Sequence, residues 1–206
     1  NGQKLWASTA GADDNVINVY VKTDTKADHR RGTSLFLVDK DAPGLTLKKL
    51  DMLGRRSVGT YELIFDDVRV PQRFRIGQEG MGFIYQMQQF QEERMFGAAK
   101  ALLPMERAIQ QTIEYTRDRK VFGGSILDNQ VVHFKLAELQ TEIEALRALV
   151  YRGVEEHMAG KDMTMLASMA KLKAGRLMRQ VTDSCLQYWG GMGYMNETPI
   201  SRAAVR

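Results

Sequence analysis

An acid and a cation, Glu93 and Arg94, stand next to each other in a stretch whose spacing predicts one long helix. The apolar residues before them recur at steps of four and three, the spacing of a buried helical stripe: Phe83, Met87 and Phe90. The next positions on that stripe hold Arg94, Gly97 and Ala101, so a cation replaces a large apolar side chain and small residues follow it. The pattern predicts an open patch beside Glu93, where an acid and a guanidinium could bind a ligand.

The polar residues around Glu93 support a second interpretation. Glutamine and glutamate occupy most positions from 86 to 93, namely Gln86, Gln88, Gln89, Gln91, Glu92 and Glu93. Such a run is typical of a solvated helix face. A buried arginine also needs a partner for its charge, so a buried arginine is more often paired structurally than catalytic. Spacing alone leaves both interpretations of Glu93 open.

The element that positions this pair is a helix within residues 80–124, followed by further helices. Its only proline between Phe83 and Lys120 is Pro104, which predicts a kink or a local break. A second helix ends at Gly160, and its seam steps by four and three: Val132, Leu136, Leu139, Ile143, Leu146 and Val150. Long helices with short connections predict antiparallel neighbours in an up-and-down bundle.

The last helices are defined by their end signals. Asp162 is the expected cap of a third helix, which runs to about Tyr188 and is broken by Gly190-Gly191-Met192-Gly193. Thr198 and Pro199 are expected at the cap and the first position of a short final helix.

The first 71 residues predict strands instead of helices. Short segments rich in β-branched and aromatic residues are bounded by turn residues: Lys4–Ala10, Val16–Lys22, Thr33–Val38, Leu45–Lys48 and Tyr61–Phe65. Pro43-Gly44 predicts a type II turn, and Pro71 is expected to end the last strand. Residues 24–31 are expected to form an exposed hairpin loop, and residues 72–78 are the boundary before the helices. The fold class is therefore α+β, with a partial antiparallel β-domain at 1–74 and a four-helix-bundle-like domain at 75–206.

Composition narrows the classes of function. The chain has 206 residues, a net charge of +4 without a basic block, and one cysteine, Cys185. The scattered charge argues against nucleic-acid binding, and the single cysteine excludes an internal disulfide and favours a reducing compartment. No apolar run of eighteen residues predicts a membrane span, and the first residues lack the apolar core of a signal peptide. His29, His133, His157 and Cys185 lack metal-ligand spacing, so we expect no metal site.

Five segments together carry a resemblance to a known family. They are Gly2-Gln-Lys-Leu-Trp6-Ala-Ser8, Phe65-Asp-Asp-Val-Arg-Val-Pro71, Arg117-Asp-Arg119-Lys-Val-Phe122-Gly123, Gln130, and Gln187-Tyr-Trp-Gly-Gly-Met-Gly-Tyr194. In this order and spacing the chain resembles the acyl-CoA dehydrogenase family over its whole length. The resemblance implies that residues 1–74 are part of the middle β-domain and residues 75–206 the C-terminal helical domain. It also implies that the chain ends before the family's Tyr-(Glu or Gly)-Gly-Thr segment and lacks the N-terminal helical domain.

The resemblance implies an FAD site, although no Gly-x-Gly-x-x-Gly follows a strand. Trp6 and Ser8 match the family's Trp-x-Thr, which packs on the flavin, while the alternative for Trp6 is a core aromatic of the β-domain. Arg119 matches the arginine that meets the pyrophosphate, while its alternative is a cation favoured at a helix C-terminus. The remaining implied cofactor residues are Phe122, Gln130, Gln187, Tyr188, Trp189, Gly190 and Gly191, the last five reaching FAD from a neighbouring subunit. The alternative for the two glycines is a helix C-cap.

The reaction implied is α,β-dehydrogenation of an acyl-CoA thioester, in which a carboxylate removes the α-proton. Most members place that glutamate in the Tyr-Glu-Gly-Thr segment. A subgroup that acts on long or branched chains places it on the long helix before an arginine, and Glu93 matches that position. Arg94 and Gln91 are the implied substrate-binding residues, although glutamine replaces the subgroup's aspartate at position 91.

The resemblance also implies partners and leaves two other functions open. It implies a homotetramer, or a dimer, that passes electrons to an electron-transferring flavoprotein in the bacterial cytoplasm or the mitochondrial matrix. One alternative keeps the fold and is a flavin oxidase or monooxygenase, and the other is a non-catalytic oligomerising bundle. The 206-residue chain alone is expected to be inactive.

Overall fold

Eight short strands and four α-helices make up the chain in the computed structural model, which describes residues 1–28, 30–54 and 56–204. His29, considered above as a metal ligand, and Arg206 lie outside these residues. The strands are β1 (Gly2–Ser8), β2 (Val16–Lys22), β3 (Thr33–Asp39), β4 (Leu45–Lys49), β5 (Thr60–Phe65), β6 (Arg75–Ile76), β7 (Lys120–Val121) and β8 (Gly124–Ser125). The α-helices are α1 (Gly82–Asp118), α2 (Gln130–Met158), α3 (Thr164–Trp189) and α4 (Pro199–Ala204). The chain divides into two compact units, residues 1–88 and 89–206.

The first unit contains two three-stranded antiparallel sheets, in the orders β1-β5-β4 and β2-β3-β6. Alternate residues of the strands enter one apolar cluster, because successive side chains of a strand point to opposite faces. Its buried members are Ala10, Ile17, Val19, Val38 and Leu63. The predicted type II turn is confirmed: Gly44 has φ +83° and the Leu45 amide donates to the Ala42 carbonyl at 3.0 Å.

Two predicted strand ends are wrong. Strand β1 ends at Ser8 instead of Ala10, because Thr9 has a positive φ of 62° and accepts a turn hydrogen bond from the Ala12 amide. Strand β5 ends at Phe65, as the predicted segment Tyr61–Phe65 has it, so the separate expectation that Pro71 ends this strand is wrong. The expected boundary at 72–78 contains a 3-10 helix, Gln72–Phe74, and the two-residue strand β6.

The helical seams of the second unit pack on one another around a common core. All six predicted seam residues of α2 are buried, from Val132 to Val150. They pack with buried residues of α1 and α3: Met95, Ala98, Leu102, Met105, Ile109, Leu166, Ala170, Ala174, Leu177 and Val181. The up-and-down bundle predicted from the spacing is confirmed, and no helix among the described residues is long and apolar enough to cross a membrane.

The buried stripe of α1 differs from the predicted one. Phe83, Met87, Phe90 and Arg94 are only partly buried, and after the buried Gly82 the next buried position of α1 is Met95. Helix α1 is continuous through Pro104, so of the predicted kink or local break there is no break, and the kink stays a prediction. Pro104 and Lys100, the residue whose carbonyl it leaves without a helical partner, are both exposed, so water can satisfy that carbonyl.

The predicted helix ends agree with the structure except at the start of α3. Its N-cap is Met163, one residue after the predicted cap Asp162, although the Asp162 carboxylate accepts the backbone N–H of Thr164 at 3.0 Å. Gly160, with φ +70°, follows the end of α2. Helix α3 ends at Trp189, a 3-10 helix spans Gly190–Tyr194, and α4 begins at Pro199.

Candidate functional site

Glu93 lies near the start of the bundle portion of α1, and its side chain is exposed. Its carboxylate accepts a hydrogen bond from the Gln89 side chain, one helical turn earlier, at 2.9 Å. The Arg94 guanidinium lies over the Phe90 ring, 5.5 Å from its centroid, so the cation is partly screened by an aromatic face. Gln91 is partly buried. The described residues of this unit thus hold the acid and the cation in place without enclosing them.

The space beside Gly97 is not open, contrary to the expectation from sequence. A Cβ at Gly97 would lie 3.3 Å from the Cε of Lys171 on α3. The aliphatic stem of that lysine therefore covers the gap that the missing side chain leaves, as long cationic side chains do along apolar surfaces. Helical spacing could not predict this contact, because residues 97 and 171 belong to different helices.

Trp6 is not a core residue of the β-domain. Its side chain is 65% exposed, and its φ is +67°, a value that bulky residues rarely adopt. The register between β1 and β5 shifts between Lys4 and Ala7, so Trp6 lies in a β-bulge. Ser8, two residues later, is also exposed. The bulge presents an aromatic ring and a nearby hydroxyl at the surface of the first unit.

Arg119 follows the last residue of α1 and starts a small hairpin. Its amide donates to the Tyr115 carbonyl at 3.0 Å, and its side chain is exposed. Strands β7 and β8 are joined by the two-residue turn Phe122-Gly123, with φ values of +51° and +85°. Two positive φ values define the type I′ hairpin turn. Glycine adopts such a φ readily, but for Phe122 it is strained, and the ring is held fully exposed at the tip.

A capping box fixes the chain between this hairpin and α2. The Ser125 amide donates to the Asp128 carboxylate at 2.9 Å, and the Asp128 amide donates to the Ser125 hydroxyl at 3.2 Å. Hydrogen bonding to the carboxylate from Ser125, first from its amide and then from its side chain, holds the pKa of the Asp128 carboxyl below its usual value. The spacing Ser-x-x-Asp was a readable signal for this box that the sequence analysis did not use. The box leads directly into α2, whose first residue is the exposed Gln130.

The turn after α3 leaves its glycine backbone uncovered. Gly190 has φ +56° and ψ −138°, a conformation that favours glycine. A Cβ built on Gly190 or on Gly191 would meet no atom within 4 Å. The open space on this side of the turn allows a ligand to approach the backbone closely, as an anion does at exposed amides. Gln187, in the last turn of α3, is exposed as well.

The two aromatic residues before this turn contact the neighbouring helices. The Tyr188 hydroxyl donates to the Val131 carbonyl on α2 at 3.2 Å. The Trp189 ring stacks on Tyr115 of α1, with centroids 4.2 Å apart, and its indole N–H donates to the Thr112 hydroxyl at 3.0 Å. Both side chains are therefore used inside the bundle, so any cofactor role of Trp189 would be to position the turn. Thr112 and Tyr115 are residues that the sequence analysis missed.

The predicted site residues fall into three groups. The ends of α1 and α3 and the start of α2 meet at one end of the bundle and carry Arg119, Phe122, Gln130 and residues 187–191. Glu93, Gln91 and Arg94 lie on the opposite part of α1; Glu93 and Arg119 are 26 positions apart, or roughly 39 Å along a helix. Trp6 and Ser8 belong to the first unit. None of the predicted residues lines a groove of about 880 Å³ that lies between α1 and α2 beside Ile109, Ile113 and Leu136.

The chain is similar to characterised enzymes over nearly all its length. It is 40% identical to cyclohexane-1-carbonyl-CoA dehydrogenase of Geobacter metallireducens over 86% of the chain and 47% of that protein. It is 38% identical to the mitochondrial long-chain specific acyl-CoA dehydrogenase of Rattus norvegicus over 100% of the chain and 48% of that protein. It is 37% identical to the short-chain specific acyl-CoA dehydrogenase of Megasphaera elsdenii, over 98% of the chain and 52% of that protein. The chain thus spans about half the length of the curated relatives it matches.

Solved structures share the fold of the whole chain. The crystal structure of acyl-CoA dehydrogenase from Geobacillus kaustophilus matches with a TM-score of 0.95 and 39% identity, over 100% of this chain and 54% of that one. The prolyl acyl carrier protein oxidase AnaB matches with a TM-score of 0.94 and 29% identity, over the same shares. The model of the acyl-CoA dehydrogenase middle domain matches residues 1–68, and that of the acyl-CoA dehydrogenase C-terminal domain matches residues 80–206. The chain belongs to the acyl-CoA dehydrogenase family.

Proposed function

We propose that the protein carrying this chain is an FAD-dependent acyl-CoA dehydrogenase. The family is one of FAD-dependent flavoproteins. The observation that carries the proposal is the meeting of Arg119, Gln130 and the uncovered glycine turn at one end of the bundle. A cation at the same end of the bundle as exposed backbone amides provides the groups that bind a phosphate or a pyrophosphate. FAD, when bound, supplies the flavin that accepts hydride from the substrate β-carbon.

The residues present fit the cofactor. Arg119 is exposed and would form a charge-assisted contact with the pyrophosphate, while Gly190 and Gly191 leave room for its oxygens. Phe122 offers an exposed aromatic face, and Gln130 and Gln187 offer amide donors and acceptors. In the first unit, the exposed Trp6 ring and Ser8 hydroxyl would contact the flavin.

The positions of these groups along α1 support an oligomer. Glu93 and Arg119 lie roughly 39 Å apart along the helix, farther than one extended dinucleotide reaches. If Glu93 acts at the flavin, the Arg119 of the same chain therefore has to contact a different FAD molecule. This geometry supports a homodimer or homotetramer in which the glycine turn of one subunit holds the cofactor of its neighbour.

Glu93 is the proposed base that removes the α-proton of the acyl-CoA. Gln89 orients its carboxylate, and Arg94 lies next to it with its cation over Phe90. A base of this kind needs water-poor surroundings to act near neutral pH. Because Glu93 is exposed among the described residues, the rest of the protein or the bound acyl chain has to exclude the water. Gln91 and Arg94 are the proposed substrate contacts.

We infer a long or branched acyl chain from the position of Glu93 alone. The relatives do not favour a chain length, since the long-chain and short-chain enzymes are 38% and 37% identical to this chain.

The proposed electron acceptor is an electron-transferring flavoprotein. The oxidase AnaB supports an alternative in which the same fold reduces oxygen. An oxidase would form peroxide, whereas a dehydrogenase would reduce an electron-accepting dye, so measuring both products separates these two functions. A protein that takes up no FAD would instead support a non-catalytic bundle.

The decisive experiment replaces Glu93 in the complete protein. Glu93→Gln keeps the size and the hydrogen bond to Gln89 but cannot take up the proton. We expect FAD and acyl-CoA binding to remain, while flavin reduction by substrate, followed by stopped-flow absorbance, falls at least about a hundredfold. The matched control is Glu92→Gln, which alters the adjacent exposed glutamate and should leave the rate near wild type.

A Glu93→Gln protein that reduces its flavin at the normal rate would remove Glu93 from the mechanism, and with it the inference of a long or branched chain. The dehydrogenase proposal would then rest on a glutamate elsewhere. An equal loss in Glu92→Gln would show that the effect comes from the charge of this helix face instead of from proton transfer.

A further inference from the structure

Helix α1 holds the end of α3 through one buried threonine and one aromatic ring. The indole N–H of Trp189, the last residue of α3, donates to the hydroxyl of Thr112, which is fully buried. The Tyr115 ring stacks on the Trp189 indole, with only 4° between the two planes. The Tyr115 hydroxyl also donates to the Trp189 carbonyl, at 3.3 Å. Three contacts therefore fix one residue, immediately before Gly190.

The glycine turn has little support of its own on the side that faces the proposed ligand. No atom lies within 4 Å of the Cβ position of Gly190 or Gly191. Glycine also loses more conformational freedom on folding than any other residue, so an ordered glycine turn needs fixed flanks. On one flank, Gly193 packs closely against Leu186. On the other flank, the fixed element is Trp189.

Tyr115 also contacts the second element of the proposed cofactor site. Its carbonyl accepts the backbone N–H of Arg119 at 3.0 Å, at the end of α1. This is the ordinary main-chain bond that continues α1 into the arginine hairpin. The Tyr115 ring and hydroxyl thus connect the residue before the glycine turn to the helix end that carries Arg119.

We propose that Thr112 and Tyr115 are positioning residues that hold the glycine turn and Arg119 in the register needed to bind the FAD pyrophosphate. The inference rests on the proposed function, since it assumes that FAD binds at this end of the bundle. Neither side chain is placed in contact with the cofactor. Both act through Trp189, whose ring orientation is fixed by the Thr112 hydrogen bond and the Tyr115 stack.

The test compares four variants of the complete protein. Tyr115→Leu removes the stack, Tyr115→Phe removes only the hydroxyl, and Thr112→Val removes the acceptor of the indole N–H. Thr112→Ser keeps the hydroxyl that accepts the indole N–H, so it should retain the FAD affinity of the wild type. The control is Thr182→Val, a buried threonine of α3 whose hydroxyl donates to the Met178 and Arg179 carbonyls of its own helix.

Two quantities are measured in addition to thermal stability. They are the Kd for FAD and the rate of amide hydrogen exchange of residues 190–194 in the cofactor-free protein. We expect Tyr115→Leu and Thr112→Val to raise the Kd about fivefold to tenfold and to speed exchange in this segment. Tyr115→Phe should have a smaller effect. Thr112→Ser and Thr182→Val should match wild type in both quantities, whatever their stability.

Wild-type FAD affinity and exchange in Tyr115→Leu and Thr112→Val would overturn the inference. So would an equal loss of FAD affinity in Thr182→Val at the same drop in stability, because the effect would then be general unfolding. A wild-type protein that binds no FAD would overturn the proposed function together with the role inferred here. Should Tyr115→Leu fail to fold, Tyr115→Phe and Thr112→Val decide the matter.

Discussion

Gly190 and Gly191, in the turn after α3, differ in why glycine is needed at each position. Gly190 has φ +56° and ψ −138°, which penalises any Cβ, whereas Gly191 does not need a left-handed φ. Both have open space where a Cβ would stand. The fold therefore requires glycine at position 190, while at position 191 a requirement would come from a ligand.

Alanine substitution separates these two requirements. Gly190→Ala should destabilise the protein by about 1–3 kcal/mol through backbone strain. Gly191→Ala should leave the melting temperature of the cofactor-free protein unchanged but weaken FAD binding about tenfold or more, because a methyl group would cover the amide that is proposed to meet the pyrophosphate. Thermal unfolding without FAD and titration with FAD measure the two effects. Unchanged FAD affinity in Gly191→Ala would leave the turn as a helix C-cap only.

At the scale of elements, the segment between α1 and α2 is ordered by its own side chains. The Ser125-Asp128 capping box ends the hairpin that presents Phe122 and starts the turn before α2. Hydrogen bonds from Ser125 lower the pKa of the Asp128 carboxyl. A lowered pKa in the folded state means that the charged carboxylate stabilises the fold above the ordinary aspartate pKa of about 3.9.

The contribution of this box should depend on pH. Asp128→Asn should be less stable than wild type at pH 7, and the difference should shrink as the pH falls through the lowered pKa of Asp128, where the wild-type carboxyl also becomes neutral. Urea unfolding at a series of pH values from neutral to acid measures it. Asp183→Asn, an exposed position on α3, is the control. A difference that stays constant down to the lowest pH would show that the box acts through shape and not through the charge of Asp128.

At the scale of the whole molecule, the residues proposed for proton removal and those proposed for cofactor binding lie far apart in this chain. Glu93 and Arg119 are separated by most of α1, and Glu93 is exposed among the described residues. The chain also spans about half the length of the curated relatives. The groups proposed for proton removal and for cofactor binding are thus present, but the water-poor pocket that proton removal requires is not formed by the described residues.

The 206-residue chain by itself should therefore show no steady turnover of any acyl-CoA. Dye reduction with short, long and branched acyl-CoA substrates measures this, with the complete protein as the positive control. Sustained turnover by the isolated chain would mean that its own copies build the acyl pocket, and the proposed dependence on the rest of the protein would be wrong.

The sequence alone determined the features that depend on local periodicity and on backbone chemistry. The α2 seam from Val132 to Val150, the type II turn at Gly44 and the break after Trp189 follow from spacing, from proline and glycine, and from caps, all of which act within a few residues. The resemblance to acyl-CoA dehydrogenases, now shown by the family models, also depends on residues in order along the chain.

Only the tertiary structure decided which side chains meet across elements. The Lys171 stem over Gly97, the Trp189 contacts with Thr112 and Tyr115, and the exposure of Trp6 in a β-bulge each involve elements far apart in sequence. Helical spacing predicts that one face is apolar but not which helix covers it, and so it placed the buried stripe of α1 at Phe90 and Arg94 instead of from Met95. The physical reason is that periodicity is a property of one element, whereas burial is set by the elements packed against it.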